Sequence, residues 1–202
     1  MSRILDIVRG YSDPFGYFAA EGKLYRLAGS ALNTPATGAT SFATTTPTFG
    51  VFLDAASGLA MIPAELRLFQ AGTVGGGAVT VLLEADNADR YTSGGTAMTV
   101  MAADLSATAL PTGASAFSTI GSAIVATDAV GIRMAGYLLG QDVSPAEGAV
   151  NEVLWTPSAG LDILKTSATL GASWLVNTFA GTTGPTWFWS MKVAIFPLDW
   201  CS

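Results

Sequence analysis

Residues 186–196 read Thr186-Trp187-Phe188-Trp189-Ser190-Met191-Lys192-Val193-Ala194-Ile195-Phe196. The odd positions, Trp187, Trp189, Met191, Val193 and Ile195, are apolar without a break, whereas the even positions mix Thr186, Ser190 and Lys192 with Phe188, Ala194 and Phe196. Successive side chains of a β-strand point to opposite faces, whereas a helix repeats every 3.6 residues. A period of two sustained over this stretch predicts a strand with one wholly apolar face, and it places the chain in the β class.

Working outward from this strand, the same alternation recurs. Ala64–Gln70 sets Glu65 and Arg67 against Leu66 and Leu68, and Ala78–Glu84 puts Val79, Val81 and Leu83 on one face. Val130–Leu138 puts Val130, Ile132, Met134 and Leu138 on one face and Arg133 on the other. Shorter strands are expected at Lys23–Ala28, Gly50–Leu53, Ala97–Ala103, Ala123–Ala126, Asn151–Trp155, Leu161–Thr166 and Ser173–Phe179. Turn signals separate them, among them Gly75-Gly76-Gly77, Ser93-Gly94-Gly95 and Thr156-Pro157. Gly181-Thr182-Thr183-Gly184-Pro185 joins two apolar runs and reads as a hairpin loop. The helix signal is slight: Ser2 can cap a short turn over Arg3–Arg9, too short to hold alone. Many short strands with regular turns predict an all-β antiparallel β-sandwich. Eight or more strands over about 140 residues favour a jelly roll over an immunoglobulin-like domain.

The chain divides by composition. Residues 31–48 are small, uncharged and rich in Thr, Ala, Gly and Pro. They predict an extended N-terminal arm over residues 1–48, lying along a protein surface, ahead of a β-sandwich domain at 49–202. Only 12% of the 202 residues are charged, against roughly 25% in ordinary domains. Such a thin charged surface implies either extensive assembly or a neutral coat of Thr, Ser and Gly. The uncharged stretches Gly29–Leu53, Leu105–Thr127 and Thr166–Met191 are broken by polar residues, so no membrane span is expected. Arg3, Asp6 and Arg9 interrupt the start, which predicts synthesis in a cytoplasm without a cleaved signal. With a net charge of −6 and nine basic residues scattered singly, nucleic acid is not an expected partner.

Chemistry is thinly represented. There is no histidine, which removes the Ser-His-Asp and Cys-His arrangements and the commonest general base. The one cysteine, Cys201, can form neither an internal disulfide nor a Cys-based zinc site. Gly72–Gly77 lacks the Lys-Ser/Thr of a phosphate loop and reads as a turn. Asp142, Glu147 and Glu152 are the carboxylates a glycosidase would draw on, but they read as solvated loop acids. Glu84-Ala85-Asp86-Asn87-Ala88-Asp89 offers oxygen ligands for calcium without the glycine of a calcium loop, and Asp and Asn are ordinary turn formers. No catalytic residue, cofactor or metal is therefore expected. Of the tryptophans, Trp155, Trp174, Trp187, Trp189 and Trp200, the pair on the 186–196 strand fits a core or a subunit interface better than a sugar-stacking platform.

The Thr/Ala/Gly-rich low-charge loops, the uncharged arm Ala31–Thr48 and the closing hairpin Ser173–Leu198 with its Trp187-Phe188-Trp189 strand resemble small virion proteins of tailed bacteriophages. The likeness is to the capsid cement or decoration proteins built on trimeric jelly rolls. The resemblance implies a homotrimer on the outer surface of a phage shell, made in the host cytoplasm and bound to a major capsid protein. The interface residues expected are Trp187, Trp189 and Met191, with Phe42 and Phe49. Three alternatives remain open: a tail or fibre component binding a host-surface glycan, a major shell protein, and a carbohydrate-binding or signalling sandwich.

Overall fold

The computed structural model describes residue 7 and residues 13–29, 33–71, 77–127, 131–141, 152–157 and 161–201. A first sheet is built around β15 (Thr186–Pro197), the strand with the unbroken apolar face. Its neighbours are β4 (Leu59–Gln70) on one side and β1 (Leu24–Ala28) on the other, flanked by β12 (Glu152–Trp155) and β8 (Thr99–Ala102). The order is β12-β4-β15-β1-β8, with short β2 (Ala36–Thr37) added to β15 and β13 (Leu164–Lys165) to β4. A second sheet runs in the order β11-β5-β14-β3-β9-β7. These strands are Ile132–Gln141, Ala78–Asp86, Ala172–Ala180, Phe49–Leu53, Ala114–Ser118 and Thr96–Ala97. All strand pairings are antiparallel, so the all-β, antiparallel expectation holds.

The two sheets face each other across one apolar core, a sandwich-like arrangement. Tyr25, Leu27, Leu66, Leu68, Trp187 and Met191 from the first sheet meet Phe49, Val51, Val81, Trp174 and Val176 from the second. Alternation along each strand sends these side chains inward. Burying each large side chain contributes roughly 1.5–3 kcal/mol.

A second apolar cluster lies on the outer face of the first sheet. Helix α1 (Pro14–Ala20) and the closing 3-10 helix (Leu198–Cys201) cover Leu24, Ala60, Ile62, Ala194 and Phe196 there. Pro14 opens α1, where its fixed φ suits a first helical turn and its missing N–H costs nothing. Phe18 is the buried side chain of that helix, which explains how so short a helix persists: tertiary burial, not propensity, holds it. On the outer side of the second sheet, β6 (Tyr91–Gly94) pairs with β10 (Ile124–Ala126). There Ile124 and Tyr91 pack on Phe52, Leu175 and Phe117.

Several expectations change. Residues 1–48 are not a free arm in the part the structure describes. Tyr25 and Leu27 of β1 belong to the core, and β1 is paired on both sides. Ala36–Thr37 pairs with Thr186 and Trp187, and Ala39 bridges Phe179. The uncharged stretch lies along the chain's own body, because its backbone groups are taken up by the chain's own strands. The approach is close. A Cβ on Gly38 would overlap the Thr178 carbonyl and hydroxyl, and one on Gly184 would overlap the Gly38 carbonyl.

Gly181–Pro185 is not a hairpin loop, since β14 and β15 lie in different sheets and the loop crosses between them. In β11 the faces are rearranged. A register shift between Arg133 and Ala135 inserts one residue, so Met134, Ala135, Tyr137 and Leu139 pack on the core while Ile132 and Leu138 are exposed. One added residue exchanges the faces of everything beyond it. The expected turns at Arg3–Arg9 and Gly72–Gly77 and the start of the strand expected at Val130–Leu138 fall outside the described residues, Ile7 and Gly77 apart.

Candidate interaction surfaces

The odd-numbered face of β15 is interior and not a subunit interface. Trp187 and Met191 are fully buried, Trp189 is nearly so, and the Phe49 ring packs tilted at 49° against that of Trp189, 4.7 Å between centroids. The two sheets cover these four side chains between them, Phe49 from the second and the other three from the first, so they have no surface left for a partner. Phe42, the fifth expected contact, is the exception: it is 40% exposed and rests on Phe179, with 5.8 Å between ring centroids. Trp155 and Trp174 are also core, 5.8 Å apart. The indole N–H groups of Trp174, Trp187 and Trp189 are buried without a hydrogen-bond partner among the described residues.

Uncommitted apolar surface is found elsewhere. At one flank of the sandwich β11 ends the second sheet and β12 ends the first. The Tyr137 hydroxyl donates to the Leu154 carbonyl at 3.5 Å and so links the two edges. Along these two edge strands Ile132 is 79% exposed, Leu138 75% and Leu154 49%, Leu138 opposite Thr80 on the outer face of the second sheet and Leu154 opposite Arg67 on the outer face of the first. An edge strand with exposed apolar side chains is a ready surface for another chain.

The open half of the first sheet's outer face is the second surface. Register places Phe69 opposite Phe188, Arg67 opposite Ser190 and Glu65 opposite Lys192, with Arg26 on the far side of Lys192. Glu65 holds Arg67 through Oε1 at 3.0 Å and Lys192 through Oε2 at 2.9 Å. Phe69 and Phe188 are both exposed. A third feature, a cleft of about 500 Å³, is lined by Thr37, Thr46, Thr48, Thr119 and Ser122, and carries hydroxyls and no charge.

The possible chemistry on the sequence resolves into structure. In the Glu84–Asp89 stretch, Asp86 grips Arg90 at 2.9 and 3.3 Å, Asp89 accepts the Tyr91 backbone N–H at 3.0 Å, and Glu84 accepts Asn177 Nδ2 at 3.1 Å. Protein donors thus occupy both oxygens of Asp86 and one oxygen each of Asp89 and Glu84. Burial pushes the Glu84 carboxyl above the ordinary glutamate value, partly offset by Arg133 and reinforced by Asp86. Asp89 is raised as well, chiefly by burial. Asp142 and Glu147 lie outside the described residues, while Glu152 is an exposed residue of β12. Among the described residues no three His, Cys, Asp or Glu side chains gather as metal ligands, and no helix is long and apolar enough to cross a membrane. Cys201 is half-buried beneath α1's cluster, and burial raises its thiol pKa.

No protein-family model matches the chain, and no curated protein sequence is similar to it.

Proposed function

We propose that this chain is a virion structural protein of tailed bacteriophages, a capsid cement or decoration protein that stabilises the outer surface of an assembled shell by packing. The observation that carries this reading is the flank where Ile132, Leu138 and Leu154 stand exposed beside two sheet edges. A surface of that kind favours assembly over solution as a monomer. The trimer contact is assigned to this flank in place of the Trp187 face. Binding many sites on a closed particle multiplies a modest contact energy, and a protein that binds only the assembled shell stabilises it by mass action.

The strand orders support the jelly-roll form of this reading. One four-strand set runs β12-β4-β15-β1 and the other β11-β5-β14-β3. In chain order, β1, β3, β4, β5, β11, β12, β14, β15, successive strands change sheet at every step except β5 to β11, which pair with each other, as two nested Greek keys require. The strands between β5 and β11 are then an insertion, adding β8 beside β1 and β9 beside β3.

In this reading the protein acts without catalysis, cofactor or nucleic acid, is made in the host cytoplasm and resides on the capsid. Mass spectrometry of purified particles tests it. A copy number near that of the main shell protein is expected, and absence from particles overturns it. A tail component binding a host glycan is the second reading, favoured by the exposed rings of Phe69 and Phe188. It requires that Phe188→Ala abolish glycan binding while the domain stays folded.

A further inference from the structure

In a chain of net charge −6, three of the nine basic residues meet on one face. Arg26, Lys192 and Glu65 form a row across β1, β15 and β4, and Arg67 stands one position along. Arg26 and Lys192 are direct cross-strand neighbours. Like charges placed so are mutually destabilising unless compensated. The nearby carboxylate does not suffice, because the two oxygens of Glu65 are engaged by Arg67 and Lys192. Arg26 is exposed and has no ion-pair partner among the described residues.

These charges line the middle of a trough on the outer face of β15. A depression of about 290 Å³ holds Arg26, Arg67 and Lys192. It shares Ser190 with one of about 240 Å³ walled by Phe69 and Phe188. At the other end it shares Arg26, Glu65 and Lys192 with a cleft of about 520 Å³, where Phe15 and Ala19 of α1 and Leu24 supply apolar walls. Phe188, Ser190 and Lys192 succeed one another on one face, so the trough spans about 13 Å between its aromatic end and its cations. An extended peptide lying along β15 presents its own alternate side chains at the same spacing.

We infer that this trough binds an extended segment of a partner protein in which an acidic side chain stands between apolar ones. The carboxylate supplies the missing countercharge to Arg26, beside the already paired Lys192, and the apolar side chains occupy the aromatic end and the α1 cleft. Arg suits the task because its planar fork accepts a carboxylate through two parallel N–H···O bonds. The inference concerns the isolated chain and stands apart from the virion reading. A chain absent from particles that still binds such a segment sinks only the latter.

The probes are the end-capped peptide Leu-Thr-Thr-Thr-Asp-Thr-Leu, whose first Leu stands four positions from Asp as Phe188 stands from Lys192, the same peptide with Lys in place of Asp, and sodium acetate, each titrated into the isotope-labelled full chain and followed by amide NMR shifts. The acidic peptide is expected to move Arg26, Arg67, Ser190 and Lys192 saturably, more weakly as salt rises, while the Lys peptide does not. Arg26→Glu is expected to lower the affinity at least about tenfold, and Arg26→Gln to lower it in the same direction, with thermal midpoints near that of the parent because the position is exposed. Equal binding of both peptides, no saturable shift, shifts confined to β11 and β12, or an unaffected Arg26→Gln variant overturns the inference. So does acetate reproducing the peptide's shifts at the same affinity, since the site would then be a bare anion pocket.

Discussion

The ring of Phe18 stacks on that of Phe196, with 5.2 Å between centroids and 19° between planes. Trp200 lies against both, at 6.5 and 5.9 Å. This stack fastens helix α1 to the end of β15. Phe18→Ala is expected to cost about 3–5 kcal/mol, as for other buried aromatic truncations. Urea unfolding measures it, and a loss under about 1 kcal/mol would mean that α1 is dispensable.

Removal of residues 1–48 separates an arm from an integral segment. An arm can be cut away with the fold intact. Here the cut deletes β1, with Leu27 fully buried and the strand paired on both sides. The truncated chain is expected not to fold cooperatively, read as loss of near-ultraviolet dichroism.

Trp187 is fully buried, yet its indole N–H has no partner among the described residues. Trp187→Phe therefore loses volume without breaking a hydrogen bond, whereas Trp187→Ala opens a cavity worth about 3–5 kcal/mol. The Phe variant is expected to retain well over half of that difference in denaturant titrations. Equal losses for the two variants would contradict the core placement.

Glu84 supplies a pH dependence whose sign can be fixed. Its folded-state pKa is raised, first by burial, above the ordinary value of 4.5. The native state then holds the proton more tightly than the unfolded chain. Its contribution is fully present below the ordinary glutamate value and is lost as pH rises through the folded pKa. Glu84→Gln, which keeps an acceptor for Asn177 Nδ2, is expected to be at least as stable as the parent at neutral pH. Its advantage should vanish in acid. Unfolding midpoints measured across the acid-to-neutral range check this, and a variant less stable at neutral pH than in acid, relative to the parent, has the wrong sign.

The Gly38 backbone fits against Thr178 with no room for a Cβ. Gly38→Ala is expected to loosen residues 33–48 and to speed amide exchange at Gly38 and Ala39, whose N–H groups bond Pro185 and Thr178. Exchange unchanged at both amides would show that the segment is held by other contacts.

What the sequence made legible follows from how local each signal is. The strand β15 announces itself because one strict alternation runs its length, and β5 is found nearly to its end for the same reason, whereas β14, buried on both faces, is legible as a run between turn signals. Three features needed information that no window of sequence carries. Pro63 hides the first half of β4, but in the fold it stands opposite a register shift between Lys192 and Val193, where a missing N–H is tolerated. The bulge in β11 breaks the period on which its face assignment depends. The loop Gly181–Pro185 has the composition of a hairpin turn, and only packing decides that it crosses between sheets. The trough was equally invisible, since Arg26, Glu65 and Lys192 come from three distant segments and meet only through register. The apolarity of the Trp187 face is plain in the sequence, but that the face is interior depends on the opposite sheet.

The placement of β15 between β1 and β4 also orders events during synthesis. Both neighbours are translated long before their shared partner. At ~5–20 residues per second a ribosome takes on the order of ten seconds to pass from β4 to β15. Through that interval the inward side chains Leu27, Leu66 and Leu68 lack the strand that joins their two halves of the sheet. Such long-range pairing folds slowly. The nascent chain is therefore vulnerable to self-association until its last strand emerges, and a truncation that stops short of Thr186 should accumulate as aggregate.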